Sequence, residues 1–331
     1  MTNNLVIKSF NRIHSYRTGI LSLFVILSLL LFNLAYSHGI NYDIGDKRKM
    51  YMECNGNGLP VVILLAGYPM RGDFAWNTPM TGKTNNPTVY SEVSKFTTVC
   101  TYDRPGTIIA TDDSFTMSRS TPVKQPVNVN EQVADLEALI KAASIPKPFI
   151  IVAHSAGGLI ARMYAFKHPK DIDGMILLDV TTEDLKDKWN RKEWTVFDYS
   201  INILTDERLY KHPEFEWLDM DVSFYQMQTA MGKGKNRVKL TIPRTVVMTA
   251  DKKPVAEEII KLELWPSWVT QDMANNIFNS IQISQNELAN SFDPIAKHIT
   301  KTNSAHAIQQ EQPQLVINEI KMMVDESRKH G

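Results

Sequence analysis

The stretch over residues 149–169, FIIVAHSAGGLIARMYAFKHP, constrains the fold of this chain more than any other. It opens on five apolar residues in succession, the pattern of a strand buried on both faces of a parallel sheet. It ends on an apolar helical pattern over 157–168, stopped by His168-Pro169. Between them stands Ser155, with Ala153 two residues before it and Gly157 two after. A strand that turns this sharply into a helix brings the two elements so close that only small side chains fit, and the residue at the bend takes a strained backbone. That is the layout of a nucleophile elbow: Ser155 attacks, and the N–H of Ala156, at the start of the helix, faces the negative charge that develops. A strand-to-helix turn that merely contains a serine is the other reading, and the rest of the chain has to decide.

Strand-like and helix-like patterns alternate along the remaining sequence, which predicts an α/β fold with a mostly parallel sheet. Apolar, β-rich runs lie at 49–54, 60–67, 96–103, 174–179 and 244–251. An amphipathic helix is predicted over 130–143, with Asn130 as its N-cap and Val133, Leu136, Ile140 and Ala143 on one face. A last helix, 313–326, has proline in its first turn. With 331 residues, 43% of them hydrophobic, the chain can bury a substantial core. One segment breaks the rhythm. More than 60 residues separate Asp179 from Arg244 without a clear strand, and they carry Trp189, Trp194, Phe197, Tyr210 and Trp217. So long a connection is rarely bare loop, so a helical insertion over 184–243 is predicted, most of its aromatics forming a small core and a few facing a pocket.

Residues 1–37 read as a signal peptide: Lys8, Arg12 and Arg17 with no acidic residue, an apolar run over 19–32, then the small residues of Ala35-Tyr36-Ser37. The run is shorter than the roughly 20 residues a membrane-spanning helix needs, and an uncleaved membrane anchor is the alternative. Removing those three positive charges takes the formal net charge from 0 to −3. The mature chain, 38–331, is therefore expected to be exported, periplasmic or secreted, touching a membrane only if the N-terminal segment is retained. No basic stripe invites nucleic acid. No zinc spacing, phosphate-binding loop or dinucleotide fingerprint occurs, so neither metal nor cofactor is expected.

The blocks LLAGYP (64–69), YDRPG (102–106), AHSAGG (153–158), LLD (177–179), TAD (249–251) and SAHAIQQEQPQLV (304–316) occur in the order found in the α/β-hydrolase superfamily. The chain resembles its exported, esterase- and lipase-like serine-hydrolase branch, the one carrying a Y-D-R-P-G motif. The resemblance implies an eight-stranded, mostly parallel sheet flanked by helices, with a helical cap, and a triad in the chain order serine, acid, histidine. Ser155 is then the nucleophile and His306 the base. Asp251, ending an apolar strand, is the expected acid; Asp179, ending an earlier one, is the alternative acid. The backbone N–H groups of Tyr68 and Ala156 form the implied oxyanion hole. Two departures stand out. Ala153 replaces the first glycine of the elbow, and Ala66-Gly67 replaces the usual His-Gly of the oxyanion loop, removing a side chain that helps hold that loop.

The superfamily's strand order also places the strand ending at Cys54 beside the strand containing Cys100. In an exported chain with only these two cysteines, that implies a disulfide, two buried free thiols being the alternative. Asp103 and Arg104 are expected to pair with each other, His154 to point away from the nucleophile, and the RGD of 71–73 to lie in a loop lining the site. The elbow serine excludes the aspartate-nucleophile dehalogenases and epoxide hydrolases of this fold, and the GGPG loop of proline iminopeptidases is missing. The implied activity is hydrolysis of a small-molecule or lipid carboxylic ester through an acyl-enzyme. A serine peptidase or amidase, a C–C hydrolase and a non-catalytic ligand-binding protein are the alternatives.

Overall fold

The computed structural model describes residues 39–79, 87–110, 114–203 and 213–330; the predicted signal peptide and Tyr210 lie outside them. The main sheet has eight strands: β1 (Ile40–Gly45), β2 (Arg48–Asn55), β3 (Val62–Leu65), β4 (Val99–Tyr102), β5 (Phe149–His154), β6 (Ile172–Leu178), β7 (Thr245–Met248) and β8 (Lys297–Ile299). They lie in the order β1-β2-β4-β3-β5-β6-β7-β8. The pairs β1–β2 and β2–β4 are antiparallel and the rest parallel. Parallel strands covered on both faces need apolar residues throughout, and β3, β4 and β5 are buried at every position.

Alternation along each strand divides the core in two. Ile63, Leu65, Ile151 and Ala153 face one layer, packed by helices α1 (Val129–Ala142) and α2 (Gly157–Lys167). Val62, Leu64, Ile150 and Val152 face the other, packed by α6 (Pro313–His330) through Val316, Ile317, Ile320 and Val324. The N-cap of α1 is Asn128, not Asn130: its side chain accepts from the N–H of Glu131, and the Glu131 carboxylate accepts from the Asn128 N–H, a capping box that satisfies two otherwise orphaned donors.

Two strands escape the sequence reading, β1 and β8, which form the sheet's edges. β1 is mostly exposed and carries a bulge between Asp43 and Gly45. β8 is three residues long, and Lys297 reaches from it to Glu319 of α6 at 2.7 and 2.8 Å. Between β7 and β8 runs α5 (Gln271–Ala289), preceded by a short helix, Ala256–Lys261.

Between β6 and β7 the chain forms a short helix, Leu185–Lys188, then α3 (Arg191–Ile203) and α4 (Met220–Met231). Trp189, Trp194 and Phe197 pack on one another edge to face or tilted, ring centroids 5.1–5.5 Å apart. Phe224, Met227 and Met231 of α4 instead join the layer beneath α1 and α2. Cys54 and Cys100 are opposite each other in the β2–β4 register and are joined by a disulfide.

Candidate active site

The site forms where the parallel strands end. β5 runs into Ser155, whose φ of 51° lies in the left-handed region that non-glycine residues avoid. The bend is held from both sides, by the Ser155 N–H donating to Leu178 O at 3.2 Å and the Thr181 N–H to Ser155 O at 3.0 Å. Close passage explains the glycines. A Cβ at Gly157 would fall 2.8 Å from the carbonyl oxygens of Leu65 and Ala66, and one at Gly158 would collide with the Val180 side chain. Among the described residues, the Ser155 hydroxyl makes no hydrogen bond.

The carboxylate against His306 belongs to Asp179, not to Asp251. His306 Nδ1 lies 2.7 Å from Asp179 Oδ2, while Asp179 Oδ1 accepts from the Ala250 N–H at 3.1 Å. Asp179 is buried and takes φ 42°, a second strained position one residue after β6. The physical reason is where the strands stop. β7 ends at Met248, and the chain beyond it serves Asp179 through Ala250 before Asp251 is reached. Asp251 turns to the loop that carries His306, accepting from the Ser304 N–H at 3.1 Å and Thr302 Oγ1 at 3.2 Å. It braces the loop and does not contact the imidazole.

With Nδ1–H donating to Asp179, the other nitrogen of the neutral His306 ring carries no proton, and the side chain is 58% exposed. Desolvation works against the charged imidazole, but the hydrogen bond and charge of Asp179 outweigh it and raise its pKa above the usual 6.5.

His154, the last residue of β5, lies on the strand face of Ile150 and Val152, and its ring packs against that of His306, centroids 4.7 Å apart. Its Nε2 donates to the His306 carbonyl at 2.9 Å. That fixes the proton on Nε2, and Nδ1 is buried without a partner. Burial, with the neighbouring His306 charge, lowers its pKa to about 3, so His154 is neutral.

Ala66, Gly67 and Tyr68 follow β3 beside the elbow; a Cβ at Gly67 would fall 2.9 Å from Ser155 Cβ. The Y-D-R-P-G motif does not pair internally. Asp103 accepts from Arg119 at 2.7 and 2.9 Å, whereas buried Arg104 binds Glu216 at 2.5 and 2.9 Å and the carbonyls of Ala66 and Gly67. Nothing in the sequence singled out Glu216; the bare Ala66-Gly67 loop beside a motif arginine was the available signal. The RGD tripeptide is not an open loop: Arg71 is buried and paired with Asp73, and Gly72 starts a short helix, Gly72–Asn77. A cavity of about 630 Å³ opens beside Tyr68, lined by Trp189, Trp194, Asp198, Trp217 and Met220.

Residues 60–200 match the alpha/beta hydrolase fold family. An uncharacterized protein of Bacillus subtilis, YqjL, is 35% identical over 86 residues, 26% of this chain and 30% of that one. An uncharacterized vacuolar membrane protein of Saccharomyces cerevisiae is 33% identical over 94 residues, 28% of this chain and 13% of its own. The chain spans 30% or less of the length of these relatives. Among solved structures, a probable hydrolytic enzyme of Pseudomonas aeruginosa superposes with a TM-score of 0.53 at 15% identity, over 87% of this chain and 93% of that one. A thermophilic esterase of Thermogutta terrifontis gives 0.51 at 14%, over 87% and 98%. Est816, an N-acyl homoserine lactone degrading enzyme, gives 0.52 at 16%, over 85% and 99%. Strand order, the strand-to-helix turn at Ser155 and these likenesses agree: the chain is a protein of the α/β-hydrolase fold.

Proposed function

We propose that the protein is a serine hydrolase that cleaves carboxylic esters through an acyl-enzyme, with Ser155 as nucleophile, His306 as general base and Asp179 as the acid. The observation that carries this reading is the 2.7 Å contact between His306 Nδ1 and buried Asp179, at the strand end next to the elbow. Asp179 holds the proton on Nδ1, so Nε2 accepts the Ser155 proton as Oγ attacks the ester carbonyl. His306 then returns that proton to the leaving alcohol, and a water repeats the cycle to free the acid. The N–H groups of Tyr68 and Ala156 receive the oxyanion, each such donor contributing about 3 kcal/mol to transition-state binding. Catalytic hydrogen bonds commonly tighten only with substrate bound, which accommodates the unbonded Ser155 hydroxyl.

The cavity beside Tyr68, lined by Trp189, Trp194 and Trp217 as well as Lys186, Asp198 and Asp221, suits an ester whose apolar acyl or alcohol part rests on the indole rings, and the structural neighbours include a thermophilic esterase and an N-acyl homoserine lactone degrading enzyme. The disulfide suits an oxidising compartment, and export is the localisation proposed. A fluorophosphonate probe with a series of p-nitrophenyl esters tests the reading. Labelling at Ser155 with turnover that Ser155→Ala abolishes is expected. Tight binding of such ligands without labelling or turnover would instead make the protein a receptor.

A further inference from the structure

We infer that Arg104 is the positioning residue of the oxyanion loop, and that Glu216 ties this positioning to the seating of the segment between β6 and β7. The inference rests on the functional reading above. The guanidinium spans two successive carbonyls, donating from Nη1 to Ala66 O at 2.7 Å and from Nη2 to Gly67 O at 2.9 Å. The second contact matters most. Gly67 C=O and Tyr68 N–H belong to one planar trans peptide, so a carbonyl held toward Arg104 turns the N–H the opposite way. The Met70 N–H donates to the same carbonyl at 3.1 Å, which fixes the plane further. A cation bound to the carbonyl also polarises the peptide and makes its N–H a stronger donor.

Ala66 itself has no side chain long enough to hold the loop. Arg104 reaches it from the far side, out of the end of β4. It could not stand there alone, because an unpaired buried charge is strongly destabilising. Glu216 answers it with both oxygens, at 2.5 and 2.9 Å, and takes a further bond from Gln132 Nε2 at 2.8 Å. The backbone next to Glu216 is docked on the core: its N–H donates to Gly106 O at 2.9 Å, and Val127 and Leu218 form a parallel bridge. Gly106, with φ +83°, makes room, since a Cβ there would collide with the Glu216 nitrogen. The inserted segment thus contributes a counter-ion to the residue that aims the oxyanion donor.

The decisive variant replaces the pair by apolar residues of similar length, Arg104→Met with Glu216→Met. Such replacements of buried ion pairs commonly preserve folding. Arg104→Lys is the companion variant: its single ammonium cannot span two carbonyls and the glutamate together. Both are measured for the rate of fluorophosphonate labelling at Ser155, whose phosphoryl oxygen occupies the same hole, and for kcat, KM and inhibition by a trifluoromethyl ketone. With circular dichroism unchanged, labelling and kcat are expected to fall about 100-fold, the loss typical of one missing oxyanion donor. KM should stay within a few-fold, and ketone affinity should weaken in proportion to kcat/KM. A folded variant that labels and turns over like the wild type overturns the inference, as does a rise in KM at unchanged kcat. Failure of the wild type itself to label overturns the functional reading instead.

Discussion

Replacing Asp179 by asparagine tests the acid assignment at its most specific point. The asparagine side chain can keep the bond that Oδ1 accepts from the Ala250 N–H, so the backbone around it has no reason to move. Its amide nitrogen, however, replaces the oxygen 2.7 Å from His306 Nδ1. An amide N–H there donates to Nδ1, which forces the imidazole proton onto Nε2, the nitrogen that must be empty to accept from Ser155. The negative charge that stabilises the imidazolium is lost as well. Together these effects are worth about 10⁴ in kcat, or about 5.5 kcal/mol of barrier. The pH profile gives an independent sign. His306 works as a base only when neutral, and Asp179 raises its pKa above 6.5. The wild type should lose kcat/KM as pH falls through that raised value, and the residual activity of Asp179→Asn should show the same limb displaced to lower pH. Asp251→Asn is the contrast: it retains an acceptor for the Ser304 N–H, costs about 1 kcal/mol of stability and leaves kcat within about tenfold. Steady-state hydrolysis of p-nitrophenyl butyrate from pH 5 to 9, with urea unfolding of each variant, reads all of these. A near-normal kcat in Asp179→Asn, or the large loss appearing in Asp251→Asn instead, would refute the assignment.

The disulfide closes a loop with a sequence separation of 46, which gives about 4 kcal/mol in the chain-entropy account; Cys54→Ser with Cys100→Ser should lower the urea midpoint accordingly, and an unchanged midpoint would contradict it. His154 is neutral when folded, with a pKa lowered to about 3, but binds a proton below about 6.5 when unfolded. Stability should therefore fall as pH falls from 6.5 toward 3, by up to about 1.4 kcal/mol per unit from this group, and calorimetry of His154→Gln should show a shallower slope. Gly67→Ala places a methyl 2.9 Å from Ser155 Cβ and 3.0 Å from His154 Nδ1. Displacing the loop should lower kcat about 100-fold, and normal turnover would show that the loop has slack.

The central strands were legible because a strand covered on both faces is apolar at every position, and 149–153 and 175–178 carry that pattern. The sheet's edges were not, because INYDIG and KHI mix polar residues that an exposed edge tolerates. Ser155 was legible for a different reason: close passage of strand and helix demands small neighbours on both sides. The partner of His306 was hidden because Asp179 and Asp251 both follow apolar strands, and only the length by which each overruns its strand separates them. Arg104 was misread through adjacency. Asp103 lies next to it in sequence, yet each turns to a partner far along the chain, Arg119 and Glu216. Side-chain direction at a strand end is set by what packs there, and spacing in the sequence does not carry it.

The sheet's two borders bear on how the protein behaves when concentrated. An open sheet can recruit a strand from a second molecule wherever it offers a long, flat row of unpaired backbone groups. β1 offers a short row interrupted by its bulge, in a ribbon whose other strand the disulfide fastens to β4. β8 offers only three residues, the first of them Lys297, whose ammonium is paired with Glu319. Among the described residues, neither border of the main sheet offers a long flat row, which disfavours strand addition between native molecules and leaves local unfolding as the easier route to it.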